Sequence, residues 1–392
     1  MLEKCTFAIK ILTMKRHLPI FLLLFCSVSL NAQETTFWKK VNGFLTKPDK
    51  ADSTFIYQPL KGFTLGVCSS GGKAGFDAKV DFRIDNYYDG AALEGVSTYA
   101  LAEKLCKKVG LEASYGNFNL GFSFEIGPRS ARKKNAFGLS FLNKAWGVHF
   151  NISKITNPFT TGLTIGNEGD ENYFHHEYTT EEDAEMKSFS IDGYYVFNNQ
   201  RFAYPAAYKF GFEQRRTAGS WLLTARYMQG SLTNSPEVSW DTYNFVDIFS
   251  TWQASVGGGY SVNFVLWLRD PTDLRDHGLR NLTLNLTALP VLTVFNYLKT
   301  TSYEYDDNGN KTGEATTKVL CHPMPNYIGS AAISLSLGRV YFSTQFTYNM
   351  FYFRSNDAFN AKHMEIPEYV DKLSYRGSFH DWTLKGLVLY RF

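Results

Sequence analysis

Beyond residue 32, no stretch of this 392-residue chain is long and apolar enough to cross a membrane as a helix, which needs about 20 apolar residues in a row. Apolar side chains instead recur at every second position in segments of about ten residues, punctuated by Gly, Asn, Asp or Pro. Successive strand side chains point to opposite faces, so each such segment has one apolar and one polar face. Phe76 to Ile84 shows this most clearly. Phe76, Ala78, Val80, Phe82 and Ile84 share one face; Asp77, Lys79, Asp81 and Arg83 share the other.

The pattern repeats along the chain. Val109, Leu111, Ala113 and Tyr115 turn at Gly116-Asn117 into Phe118, Leu120, Phe122, Phe124 and Ile126. Phe137, Leu139 and Phe141 turn at Asn143-Lys144 into Trp146, Val148, Phe150 and Ile152. Short Asn-rich links of this kind favour tight hairpins. Phe189, Ile191, Tyr195 and Phe197 lead to a turn at Asn198-Asn199. Tyr208, Phe210 and Phe212 then alternate with Lys209, Glu213 and Arg215 as a further strand, and Thr217-Ala218-Gly219 turns into Trp221, Leu223, Ala225 and Tyr227. Strands are expected over 249–268, 281–304, 328–337 and 340–353, with a turn at Gly338-Arg339 and a kink at Gly257-Gly258-Gly259. Longer polar tracts separate the hairpins at 155–185, 230–246, 305–326 and 354–372. Short turns at one end and long loops at the other are the asymmetry of an antiparallel transmembrane β-barrel, with tight periplasmic turns and long external loops. The pattern predicts about 12 strands, with 10 to 14 open, over residues 59–392 after an N-terminal periplasmic segment at 33–58.

The two ends of the chain point the same way. Trp382, Leu384, Gly386, Val388, Tyr390 and Phe392 alternate up to the last residue, so Val388, Tyr390 and Phe392 read as an assembly signal for the barrel-insertion machinery. At the other end, Met14-Lys15-Arg16-His17 precedes an apolar run from Leu18 to Leu30 and a small Ala32. This reads as a secretory signal peptide ending at residue 32, with Met14 as the true start. Aromatics make up 16% of the chain while mean hydropathy stays at -0.24, as expected when apolar and polar residues alternate rather than cluster. A net charge of +3 is too mild to imply nucleic acid. Cys68, Cys106 and Cys321 lack the spacing of a zinc site; Cys68 with Cys106 is one conceivable disulfide, and free buried thiols are the alternative.

Ile191-Asp192-Gly193-Tyr194-Tyr195-Val196-Phe197-Asn198-Asn199, then Arg201 to Ala207, then Gln214 to Ser220, carry a resemblance. This run resembles a family of outer-membrane β-barrel proteins of Bacteroides-type bacteria, catalogued as a domain of unknown function. The resemblance extends over most of the mature chain, and Ala203 stands where the family's element has Ser. It implies a barrel in the outer membrane and brings no activity, cofactor or catalytic residue. Read physically, the motif is a tight turn followed by two strands, with Pro205 near a strand start and Tyr194, Tyr195 and Tyr204 in an aromatic girdle.

If the aromatic faces meet lipid, the opposite faces line the lumen with Asp77, Lys79, Asp81, Arg83, Glu112, Glu125, His149, Lys209, Glu213, Arg215, Arg226 and Lys385. This set is nearly charge-balanced. It suits either a narrow, weakly selective channel or a lumen filled by ion pairs, as in a structural or docking protein of the envelope. A lipid hydrolase would need a nucleophile beside a base such as His149, for which Ser140 and Ser153 are the nearest candidates, and no GxSxG turn is present. A secreted soluble β-sandwich that binds ligands is the other alternative. His175-His176-Glu177 lies in an acidic tract without metal-site spacing and reads as a solvated loop, and Asp306 to Asn310 reads as a hairpin tip. The expectation is therefore a monomeric barrel with no cofactor and no metal, no catalytic site, no nucleic-acid partner, and lipid around it.

Overall fold

The computed structural model describes residues 51–58, 62–88, 91–102, 106–126, 133–156, 159–165, 174–180, 185–233, 248–269, 280–305, 311–355 and 372–392. The signal segment expected over 1–32, the stretch 33–50 and the hairpin tip at 306–310 lie outside these residues.

Twelve antiparallel strands close into a barrel. The first six are β1 (Phe63–Tyr88), β2 (Cys106–Tyr115), β3 (Phe118–Glu125), β4 (Lys133–Leu142), β5 (Trp146–Thr156) and β6 (Glu185–Val196). The rest are β7 (Ala218–Thr233), β8 (Ile248–Arg269), β9 (Arg280–Tyr305), β10 (Met324–Leu337), β11 (Val340–Arg354) and β12 (Lys372–Arg391). Each pairs with its neighbours in this order. β12 returns to β1 in a register from Arg391 opposite Thr64 to Lys372 opposite Arg83, which removes the unpaired edges of an open sheet.

One end of the barrel carries the tight turns. Gly116 and Gly338 stand there at φ 57° and 70°, the left-handed region that costs glycine least. At Gly257-Gly258-Gly259 β8 keeps one register with β7 and β9 instead of kinking, its register shifts falling at Ala254/Ser255 and Val265/Trp267, and the glycines serve a close approach of backbones. A Cβ on Gly257 or Gly259 would run into the carbonyl oxygens of Pro290 and Ala288 on β9, and Pro290 has no N–H to offer the ladder.

At the opposite end, the tracts expected as loops at 155–185 and 305–326, and residues 91–102, for which no element was expected, carry further strands. β1 runs on past β2 to pair with Ala91–Ala102, which pairs with Phe159–Ile165, which pairs with Phe174–Thr180. The His175-His176-Glu177 run therefore lies on a strand and not in a loop. β9 likewise outruns β10 and pairs with Lys311–Leu320.

In the half nearer the tight turns, the outer face is apolar. Val67, Leu111, Phe124, Ile152, Leu223, Val256, Leu286, Ile333 and Leu384 are 42–56% exposed, one from each of nine strands. Aromatic pairs border this belt. Phe141–Trp146 (4.9 Å), Trp221–Tyr260 (5.5 Å) and Tyr390–Phe392 (5.1 Å) edge it toward the tight turns, and Trp252–Tyr297 (5.4 Å) edges it on the other side. A continuous bare apolar belt between aromatic rows is what a bilayer covers.

Above the belt the faces exchange character. Ala78, Val80, Ile155, Met186, Leu232, Phe249, Leu298 and Phe353 point inward and pack with Cys321 and Tyr375 into one apolar cluster inside the barrel. The outer face there carries Glu185 bridging Lys154 and Lys187, the Arg376–Asp81 pair at 3.3 Å and the His380–Asp77 pair at 3.7 Å. Asp77, Lys79, Asp81 and Arg83, expected in the lumen, thus sit on the outer face, with Ala78 and Val80 inside. The reason is length. β1 has 26 residues, whereas about 9–11 tilted residues cross a bilayer, so its far half stands clear of any apolar belt.

Cys68 and Cys321 are free buried thiols. The register sets Cys106 opposite Gly72, four positions along β1 from Cys68, or about 13 Å at 3.3 Å per residue. A disulfide needs its Cα atoms within about 7 Å, so the conceivable Cys68–Cys106 bridge does not form.

Candidate functional site

The connection from β6 to β7, residues 197–217, enters the barrel at the tight-turn end. Its composition explains why it does not continue as a strand. Pro205 opens a 3₁₀ turn over Tyr204–Ala207, where a missing N–H does no harm, and small Ala203, Ala206 and Ala207 let the turn pack tightly. Phe202, Ala203 and Ala207 are fully buried. The strand expected over Tyr208 to Arg215 is confined to Glu213–Gln214, which pairs with Ile56–Tyr57 of the N-terminal segment.

Chain without regular structure must have its buried carbonyls satisfied elsewhere. Here the inner faces of β8, β9 and β11 supply the donors. Asn263 Nδ2 donates to the Ala203 carbonyl (2.9 Å), Asn281 Nδ2 to that of Gln214 (3.0 Å), Ser343 Oγ to that of Ala207 (2.9 Å) and Gln345 Nε2 to that of Tyr208 (2.9 Å). Gln214, itself fully buried, ties the segment together. Its amide donates to the Arg201 (2.6 Å) and Arg216 (3.0 Å) carbonyls, and its oxygen accepts from the Ala203 N–H (3.1 Å). Tyr208 donates to Asn285 Oδ1 at 2.6 Å. Phe210 stacks on Tyr341 at 5.3 Å with the Arg391 guanidinium 4.4 Å from its ring. The segment is a plug fastened across the floor of the barrel.

Below it, Phe55 and Ile56 pack on Ala203, Ala206 and Phe212, and the guanidinium of Arg201 lies 5.2 Å from the Phe55 ring. Arg215 Nη1 donates to the Ser53 carbonyl at 3.0 Å. Thr54 donates its N–H (3.0 Å) and hydroxyl to the Asp52 carboxylate, and those bonds hold that carboxyl below its ordinary range.

Between the plug and the apolar cluster lies a cavity of about 500 Å³. Glu112, His149, Arg226 and Lys385 line it as expected. Glu125 faces inward opposite Lys108 in the register. Lys209 and Glu213 are buried in the plug, where Ser336 Oγ donates to Glu213 at 3.0 Å, and Arg215 lies at its outer side. Of the three girdle tyrosines, only Tyr195 is on the outer face; Tyr194 points inward and meets Tyr204 of the plug edge-on at 4.8 Å. Val388, Tyr390 and Phe392 are on the outer face.

Two charged groupings cross this space. Lys385 donates to the buried carboxylate of Glu112. Arg226 pairs with Asp192 at 2.9 Å, reaches across the lumen to Asn349 Oδ1 at 3.0 Å and lies 4.5 Å from the Phe351 ring; Asn349 in turn donates to Asp381 at 3.1 Å. Asp192, Asn349 and Asp381 were not singled out from the sequence as lumen residues. Asp192 was legible by parity, since it alternates with Phe189 and Ile191 as Ser188 and Ser190 do. His149 stands between Ser140 and Asp192 in register on three adjacent strands, but the Asp192 carboxylate is engaged by Arg226 instead of orienting the imidazole.

Among curated proteins, none matches this sequence. Solved structures similar to it include the outer membrane protease OmpT from Escherichia coli, at 7% identity and a TM-score of 0.34, covering 84% of this chain and 97% of that one. The beta domain of the Bordetella autotransporter BrkA is similar at 9% identity and a TM-score of 0.28, covering 82% and 100%. The P. putida toluene transporter TodX is similar at 6% identity and a TM-score of 0.23, covering 90% and 94%. Likeness of this size says nothing about activity. Residues 75–376, which span most of the barrel and the whole plug, match the family described as Domain of unknown function (DUF4421), and the chain belongs to that family.

Proposed function

We propose that this chain is a monomeric β-barrel of the bacterial outer membrane whose lumen is shut at rest, and that it serves the envelope as a binding or docking protein instead of an open channel or an enzyme. The single observation behind this reading is the plug, which barrel side chains hold through its own backbone carbonyls. The apolar belt with its aromatic borders supports membrane insertion. The tight turns then face the periplasm, and the long connections face outward.

The test is planar-bilayer recording of the detergent-refolded mature protein. The expected result is insertion without steady conductance, and intermittent conductance once Gln214→Ala and Asn281→Ala loosen the plug. Each change leaves buried partners unsatisfied, at roughly 1–3 kcal/mol per group. Steady, weakly selective conductance of the unaltered protein would contradict the reading and restore the open channel.

A further inference from the structure

The chamber above the plug has room for a small solute. Its volume of about 500 Å³ falls within the range of small-molecule sites, about 300–1,000 Å³. At ~30 Å³ each, on the order of fifteen waters would fill it. The space exists because β3, β4 and β6 present glycines and serines to it: Gly121, Ser123, Gly138, Ser140, Ser188 and Ser190.

The chemistry of the walls narrows the ligand class. Glu112 and Lys385 hold one another, as do Asp192 and Arg226, and Asp381 accepts from Asn349. An ionic solute that pairs with Glu112, Lys385, Asp192 or Arg226 would have to displace its partner and leave a charge uncompensated in a confined interior, whereas a neutral one leaves both pairs intact. Serine hydroxyls and the amide of Asn151 both donate and accept, and so match a solute whose own groups do the same. At the floor, the rings of Tyr204 and Tyr208 stand 5.3 Å apart and give an apolar base for the C–H face of a sugar ring.

Among the described residues, the apolar cluster has no member on β2, β3 or β4. There the chamber extends to Lys108, Ser123 and Ala136, close to the far ends of those strands.

We propose that this chamber binds a neutral saccharide or polyol, admitted beside β2 to β4 from the long-connection end and stopped by the plug. The proposal rests on the reading of a lumen shut at its floor. Titration calorimetry of the full refolded chain in detergent tests it with glucose, maltose, N-acetylglucosamine and sorbitol as neutral probes, and glucuronate and glucosamine as charged counterparts. Saturable binding of at least one neutral probe is expected, at least tenfold tighter than either charged one. A Cβ on Gly121 or Gly138 would meet its nearest neighbours, on Glu112 and His149, at 3.6 and 3.5 Å. Gly121→Leu and Gly138→Leu should therefore extend into the chamber without moving the backbone and abolish the heat, with each variant's folding checked by unchanged heat-modifiable migration on gels. No binding of any neutral probe, equal binding of the charged ones, or undiminished binding by both filled variants would overturn the proposal. Loss of the closed-barrel reading would show separately, as steady conductance.

Discussion

The two halves of the same strands obey opposite rules. On β7, Leu223 faces outward at 54% exposure in the half near the tight turns, while Leu232, farther along, faces inward at 5%. β1 repeats the contrast, with Val67 exposed on the outside and Val80 fully buried within. Alternation divides a strand into two faces, but the medium on each side decides which face is apolar. Within a bilayer the outside must be apolar and the inside is free to be polar; beyond it, the outside meets water and the inside is filled like a soluble core.

The sharpest way to break this contrast lies on one strand. Phe353→Ala in the upper interior should cost about 3–5 kcal/mol, the range for emptying a buried aromatic site. Thr347→Ala, on the same inner face beside the chamber, should cost less than about 1 kcal/mol. Urea midpoints in detergent measure both, and equal losses would mean that the upper interior is not a packed core.

On the outer face the order reverses. Leu223→Arg should lose roughly 2–4 kcal/mol when unfolding is followed reversibly from liposomes, because the charge then sits in the apolar belt. Thr233→Arg, on the same face of β7 above the belt, should lose next to nothing. A penalty at both positions would mean that the membrane extends past the apolar belt.

A smaller effect is expected from the outer ion pair. Asp81→Asn removes a partner of Arg376 at 3.3 Å, and a double-mutant cycle should return a coupling of about 0–1 kcal/mol, as for other solvent-exposed pairs. A coupling well above that would place Asp81 in the interior after all. The least effect concerns pH. Because its hydrogen bonds from Thr54 lower the Asp52 pKa beneath 3.8, its contribution is present above that value and is lost as pH falls through the lower folded-state value. Acid unfolding of Asp52→Asn should therefore differ from the parent only in that strongly acidic window.

Much of the barrel was legible in the sequence because it is local. The hairpins at Gly116 and Asn143, the turn at Gly338 and the final alternation to Phe392 each follow from neighbours in the chain. The assignment of Asp77, Lys79, Asp81 and Arg83 failed because period two carries no information about height. The plug was misread for a related reason: Tyr208, Phe210 and Phe212 imitate a strand, and the contrary signal, Pro205 among small alanines, is brief. Its partners Asn263, Asn281, Asn285 and Ser343 lie on strands far along the chain. The same distance hides the bridge from Asp192 through Arg226 to Asn349, since β7 and β11 are neither adjacent nor patterned alike.

Hydrogen exchange of residues 201–216 in the folded, detergent-held protein tests the central claim most directly. The N–H groups of Ala203, Ala206 and Lys209 are bonded to Gln214 Oε1, the Ala203 carbonyl and the Pro205 carbonyl within the plug. They should exchange as slowly as the amides of β8 and β9. Exchange of this segment at the rate of an exposed loop, with those strands still protected, would contradict a barrel closed by its own chain.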